Sequence, residues 1–165
     1  MKLVRYGEIG SEKPGLIADG TLRDLSDHVD DITGAVLDDA TLERLRGVDP
    51  ATLPAVAGNP RIGACVGNIG KFLCIGLNYS DHAAETGAAI PEHPILFFKA
   101  NSAIVGPNDD VMMPRGSTHV DWEVELGVVI GKKAKYVSRE NALDHVAGYC
   151  VVNDVSERYF QTKLT

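Results

Sequence analysis

The chain lacks a Walker loop, a dinucleotide-binding glycine fingerprint and any zinc-ligand spacing; Gly67-x-x-Gly70 is too short and lacks the pattern. It has no basic cluster: 16 Lys and Arg stand against 23 Asp and Glu, a net charge of −7. Nucleic acid and anionic membranes are therefore poor partners. No apolar run approaches the ~20 residues of a membrane span. The start, Met1-Lys2-Leu3-Val4-Arg5-Tyr6-Gly7, reads as a strand without the apolar region of a signal peptide. Internal repeats and low-complexity tracts are absent. Cysteine is scarce: three residues, Cys65, Cys74 and Cys150, odd in number and widely spaced among apolar neighbours. That pattern predicts small buried hydrophobes in a reducing cytoplasm rather than disulfides or thiol catalysts.

The residues that are present suffice for a core. At 165 residues and 44% hydrophobic content, the chain fits one domain, or a small domain plus part of a larger one. Residues 1 to about 25 read as a β-meander with Asp19-Gly20 as a tight turn. Asp38 to Gly47 reads as a short helix: acids open it, Leu42 and Leu45 share a face, arginines fill the last turn and Gly47 ends it. Asp49-Pro50 and Gly58-Asn59-Pro60 punctuate the next stretch, and Gly67-Asn68-Ile69-Gly70 reads as a linker. Strands are expected over Phe72–Leu77, Ile95–Phe98, Val120–Ile130 and Tyr149–Val152, with short helical pieces near Asp81–Thr86 and Arg139–Val146.

The densest chemistry lies in Asp121-Trp122-Glu123-Val124-Glu125-Leu126 and, some thirty residues on, Asn153-Asp154-Val155-Ser156-Glu157-Arg158. In the first, Val120, Trp122, Val124, Leu126, Val128 and Ile130 point one way and Asp121, Glu123 and Glu125 the other. At ~3.3 Å rise per residue, Glu123 and Glu125 sit roughly 7 Å apart on one face. Asp154, after a second apolar run, could add a third oxygen. Three carboxylates without His or Cys suit a hard cation, Mg²⁺ or Mn²⁺. A wet strand face is the competing reading of the Glu-x-Glu pair.

Four further places carry chemistry. His82 and Glu85, three apart, are neighbours on a helical turn, and a carboxylate beside an imidazole orients it as a general base. The same spacing also describes a surface pair. Lys99 either neutralises a substrate carboxylate or marks a strand end. Arg158 and Gln161 could bind an oxyanion, Arg by a bidentate fork, or could lie on a solvated helix face.

Gly76-Leu77-Asn78-Tyr79-x-x-His82-x-x-Glu85, Phe97-x-Lys99, Asp121 to Leu126, Val128-Val129-Ile130-Gly131-Lys132 and Asn153-Asp154-Val155-Ser156-x-Arg158-x-x-Gln161 together resemble the fumarylacetoacetate hydrolase family. The resemblance is nearest to its bacterial ureidoglycolate lyase and 2,4-diketo-3-deoxy-sugar-acid hydrolase members. It is close over Lys71 to Gln161, while residues 1–68 are similar to the small N-terminal domain many members carry. It implies an α+β, mainly β fold: that small domain, then residues 69–165 as the first half of a mixed β-barrel-like catalytic domain. It implies Mg²⁺ or Mn²⁺ held by Glu123, Glu125 and Asp154. It implies a water-activating dyad of His82 and Glu85 on a mobile lid, and a substrate pocket lined by Lys99, Arg158 and Gln161. The expected activity is hydrolysis of a C–C bond in a small 2-oxo (2,4-dioxo) acid by a cytoplasmic homo-oligomer. The alternatives are a ureidoglycolate lyase and a non-catalytic truncated fragment that keeps a metal site. Family members continue well past the Gln161 position. The polypeptide ending at Thr165 is accordingly expected to be inactive, to leave Val128, Val129 and Ile130 exposed, and to associate or dissolve poorly.

Overall fold

The structure is a computed structural model and describes residues 1–164. The chain forms two compact units: Met1–Gly67 together with the segment from Gly106 onward, and the intervening Asn68–Val105.

The first unit begins with strands β1 (Lys2–Tyr6), β2 (Lys13–Ala18) and β3 (Thr21–Asp24), an antiparallel meander in the order β1-β2-β3. Asp19 and Gly20 join β2 to β3 with φ of +48° and +74°. Paired positive φ values belong to the hairpin turn that matches strand twist, and Asp-Gly reaches them at low cost. Helix α1 (Asp39–Arg46) starts where expected: the Asp38 side chain accepts the Thr41 N–H at 3.0 Å. An N-cap of this kind contributes about 1 kcal/mol. Gly47 ends the helix, but with φ of −77° it does so in the right-handed region rather than through a left-handed cap. The inward stripe of α1 joins the core. Leu45 packs with Leu16, Leu25, Val29 and Leu53, and Leu42 packs with Ile32 and Leu37. Fully burying a side chain such as Leu25 or Ile32 stabilises by about 1.5–3 kcal/mol. Val66, Val129 and Ala147 press against the second cluster.

Four further strands belong to the first unit: β6 (Val120–Asp121), β7 (Val124–Ile130), β8 (Val146–Asn153) and β9 (Ser156–Glu157). β7 pairs antiparallel with β8, and β6 with β9. The single strand expected over Val120–Ile130 is thus two, broken at Trp122-Glu123 where the chain changes partner. The helix expected near Arg139–Val146 shrinks to a 3₁₀ turn, Ala142–His145, because Val146 already belongs to β8. Tyr149–Val152 lies in that longer strand. A short π-helical turn, Phe160–Leu164, follows β9.

The second unit holds β4 (Leu73–Gly76) paired antiparallel with β5 (Ile95–Phe98), and helix α2 (Ser80–Thr86). Gly87 ends α2 at φ +67°, a left-handed cap that glycine adopts freely. Strands are the main regular structure of the chain, nine against two α-helices among the described residues, as expected. No helix among them is long and apolar enough to cross a membrane.

Two ion-pair systems tie distant parts of the first unit. Arg61 Nε donates to Asp109 Oδ1 at 2.7 Å, and its Nη1 to Glu12 Oε1 at 3.0 Å. Arg5 Nε donates to Asp31 Oδ1 at 2.7 Å, and its Nη2 reaches Glu12 at 3.3 Å.

Candidate functional site

β7 and β8 run in register with Val124 opposite Asn153 and Glu125 opposite Val152. One step further sets Glu123 opposite Asp154, and the backbone agrees: the Asp154 N–H donates to the Glu123 carbonyl at 2.9 Å. The Glu123 N–H in turn donates to Asn153 Oδ1 at 3.0 Å. Residues directly opposite in an antiparallel pair share a face. Glu123, Glu125, Val152 and Asp154 therefore belong to one face. Asp154 is buried, at 9% exposure.

The faces of this ribbon are covered in the opposite sense to an ordinary amphipathic sheet. Asp121, Glu123, Glu125, Gly127 and Val129 are half-buried, while Trp122, Val124, Leu126, Val128 and Ile130 are exposed. Of the three residues expected to be exposed, Val128 and Ile130 are, at 48% and 55%. Val129 is not, because its side chain points to the Ile32–Leu37–Leu42 cluster.

Arg158 sits at the end of the acidic row. Its Nε donates to Asp121 Oδ2 at 2.8 Å, its Nη1 to Gln161 Oε1 at 3.0 Å, and its Nη2 to Glu123 Oε1. Burial works against its charge, but the hydrogen bonds to Asp121 and Glu123 outweigh that and raise its pKa. The backbone N–H of Arg158 is fixed on the His119 carbonyl at 2.9 Å. Arg158 and Gln161, paired in sequence reasoning only by spacing, are thus in contact, and both belong with the acidic row. In this arrangement no three His, Cys, Asp or Glu side chains among the described residues are gathered closely enough to hold a metal ion. The donor set does fit a hard cation in kind: carboxylates only, on one face, one of them buried.

The remaining candidate residues lie in the second unit. His82 and Glu85 are exposed on α2, one turn apart. The His82 N–H is held by Asp81 Oδ1 at 2.9 Å and its carbonyl accepts from Thr86 Oγ1 at 2.9 Å. Lys99 is half-buried just after β5, its N–H on the Phe72 carbonyl at 3.2 Å. A depression of about 280 Å³ is lined by Ile75 to Asn78 and Ile90 to Pro94; neither His82, Glu85 nor Lys99 lines it.

Two features escape sequence reasoning. Asp121 and Asn153 lie inside the quoted motifs, where spacing alone assigns them no role, yet each contacts a candidate residue. The cysteines are half-buried rather than buried.

The profile of the fumarylacetoacetate hydrolase C-terminal domain matches residues 71–165. The chain belongs to the fumarylacetoacetate hydrolase family. A Burkholderia ambifaria protein that carries the provisional name hydrolase is 64% identical over 162 residues, 98% of this chain and 57% of that protein. The fumarylacetoacetate hydrolase of psychrophilic Exiguobacterium antarcticum superposes with a TM-score of 0.74 at 31% identity, covering 99% of this chain and 59% of that one. The maleylpyruvate hydrolase of Sphingobium sp. SYK-6, solved with manganese(II) and pyruvate, gives a TM-score of 0.76 at 25% identity, over 96% of this chain and 60% of that one. The chain thus spans a little over half the length of the relatives it matches.

Proposed function

We propose that this chain carries the metal-binding strands of a divalent-cation-dependent hydrolase acting on a small 2-oxo (2,4-dioxo) acid, in which water cleaves a C–C bond. The observation that carries the reading is the β7–β8 register, which sets Glu123 opposite Asp154 with Glu125 on the same face. Support for the chemistry comes from the family and from the Sphingobium relative solved with manganese(II) and pyruvate, itself a 2-oxo acid.

Glu123, Glu125 and Asp154 would hold Mg²⁺ or Mn²⁺. A bound divalent cation would polarise the 2-oxo acid and stabilise negative charge on the leaving enolate. Of the chain's own groups, the His82 imidazole would take a proton from water as the new C–O bond forms, with Glu85 holding the ring in orientation. Lys99 would neutralise a substrate carboxylate. Arg158, with Gln161 bracing its guanidinium, would place a permanent positive charge beside Glu123 and serve a substrate carboxylate by its fork of N–H donors.

A second reading has its own observation. The outer face of β7 and β8 is broadly apolar and exposed, with Val124 at 68%, Leu126 at 60% and Val151 at 80%. That favours a chain which keeps a metal site but needs further cover before it turns anything over.

Calorimetry with Mg²⁺ and Mn²⁺ tests the first part. Glu123→Ala should abolish binding, while Glu43→Ala on α1 should leave it intact; unchanged affinity in Glu123→Ala would sink the assignment. A turnover screen of acylpyruvates, oxaloacetate and ureidoglycolate separates hydrolase, lyase and inactive outcomes.

A further inference from the structure

The pairing of two short strands brings Arg158 to Asp121. β6 and β9 run antiparallel with Val120 opposite Glu157 and Asp121 opposite Ser156. Residues two apart on a strand share a face, so Arg158 is the diagonal neighbour of Asp121, a separation that a long side chain spans. The backbone there is fixed. The Arg158 N–H donates to the His119 carbonyl at 2.9 Å. Glu157, one residue back, accepts from Ser117 Oγ at 2.6 Å and from the Phe160 N–H at 2.6 Å. Asp121 grips one edge of the guanidinium: Nε and Nη2 both lie 2.8 Å from its Oδ2. Nη2 is shared, since it also donates to Glu123 Oε1, and Nη1 donates to Gln161 Oε1. One permanent cation thus stands between two carboxylates, of which only Glu123 is among the three acids proposed to hold a metal.

We infer that Asp121 is a positioning residue: it retains Arg158 when Glu123 turns to a divalent cation, so that the guanidinium stays beside the acidic row with Nη2 free for a substrate carboxylate. The inference rests on the function proposed above. Nε carries one hydrogen, and that hydrogen goes to Asp121, so the release of Glu123 costs Arg158 only its Nη2 bond to that residue. Exposed ion pairs are usually weak, because ordering two long side chains costs entropy and water screens the charge. Here the Arg158 side chain is only 33% exposed, its backbone is pinned and Gln161 braces it, so much of that entropy is already lost. Charge argues the same way. A lone guanidinium beside a divalent cation would repel it, and the Asp121 carboxylate offsets that positive charge. Lysine could not take this part, since a compact ammonium has no planar edge to give to one carboxylate while keeping another nitrogen for a second.

The grip is read on the Arg158 Nε–H by heteronuclear NMR, with the signal assigned by its absence from Arg158→Gln. In the natural chain without metal, exchange of that proton with water should be slow. It should stay slow in Glu123→Gln, where the partner that a cation would claim has lost its charge, and in the natural chain saturated with Mg²⁺. In Asp121→Asn it should become faster by about tenfold or more, the equivalent of one charge-assisted hydrogen bond. The Arg158 backbone N–H, bonded to His119, should remain protected in Asp121→Asn, which separates a lost grip from a lost fold. Calorimetry of Mg²⁺ on the natural chain accompanies these spectra. With Mg²⁺ binding present, the proposal is overturned by fast Nε–H exchange in Glu123→Gln or in the Mg²⁺-saturated chain, by unchanged exchange in Asp121→Asn, or by loss of the backbone protection there. Absence of Mg²⁺ binding would overturn the metal reading itself, and this proposal with it.

Discussion

Replacing Arg158 by glutamine should tighten divalent-cation binding while weakening the fold. The guanidinium holds Glu123 through Nη2 and Asp121 at 2.8 Å through Nε, and Gln161 engages its remaining nitrogen. A cation arriving at Glu123 must therefore displace one charge-assisted hydrogen bond, worth about 1.5–3 kcal/mol. Part of that is kept, because Arg158 can remain on Asp121. A permanent +1 charge also repels a +2 ion. At ~5 Å and the dielectric of water, this costs about 1.7 kcal/mol, which is a lower bound for a half-buried site. The two effects together predict a gain of at least about tenfold in Mg²⁺ affinity, since 1.4 kcal/mol is one decade. Against this, Glu123 is left at 20% side-chain exposure without its cationic partner. The pair is neither fully buried nor on the surface, so the loss of stability should fall between those limits, about 1–2 kcal/mol. Titration calorimetry gives the affinity and urea denaturation the stability. Weaker Mg²⁺ binding in Arg158→Gln would refute the reasoning, because it would mean that Arg158 organises the acidic row rather than competing for it.

Three other outcomes are expected. In any form of the protein that turns substrate over, His82→Ala should lower kcat by about 10²–10⁴-fold with metal binding intact, and near-normal turnover would place the base elsewhere. Leu126→Lys with Val151→Lys, both on the exposed apolar face, should reduce dye binding and self-association in light scattering without changing the circular dichroism spectrum. Asp109 is held below its ordinary pKa by hydrogen bonds from Arg61 and from the Gly106 N–H. Its contribution is therefore present above the unfolded carboxylate value of about 3.9 and lost as pH falls through the lower folded one. Urea midpoints should decline more steeply in acid for the natural chain than for Asp109→Asn, and parallel curves would show that the pair is not linked to folding.

Sequence reasoning reaches furthest where structure is local. The meander and its Asp19-Gly20 turn, the Asp38 cap and the Leu42–Leu45 stripe each depend on residues within a few positions of one another. The break at Trp122-Glu123 is not legible, since alternation runs unbroken to Ile130. What ends β6 is a change of partner from β9 to β8, set by residues about thirty positions away. Arg139–Val146 reads as helical, but pairing with Ile130 takes Val146 into β8. At the acidic row, spacing supplies the shared face of Glu123 and Glu125. Placing Asp154 opposite Glu123 needs the register, and the hold of Arg158 on Asp121 and Glu123 needs the turn that brings its N–H to His119. Alternation also separates two faces without saying which is covered. Here the face that holds the acids and Val129, not the one that holds Val124 and Val128, is the more covered.

The first unit is interrupted after Gly67 and resumes at Gly106. Gly106, where the chain returns, lies so close to the other side of that junction that a Cβ on it would stand 2.3 Å from the Ile62 carbonyl oxygen and 3.2 Å from the Gly63 Cα. Insertions are tolerated where the two ends of the host already lie side by side. Residues 68–105 are thus a guest in a host that has sheets and core clusters of its own. His82, Glu85 and Lys99 belong to that guest, and Asp121, Glu123, Glu125 and Asp154 to the host. A change confined to one of these two stretches of the chain therefore leaves every residue of the other unaltered.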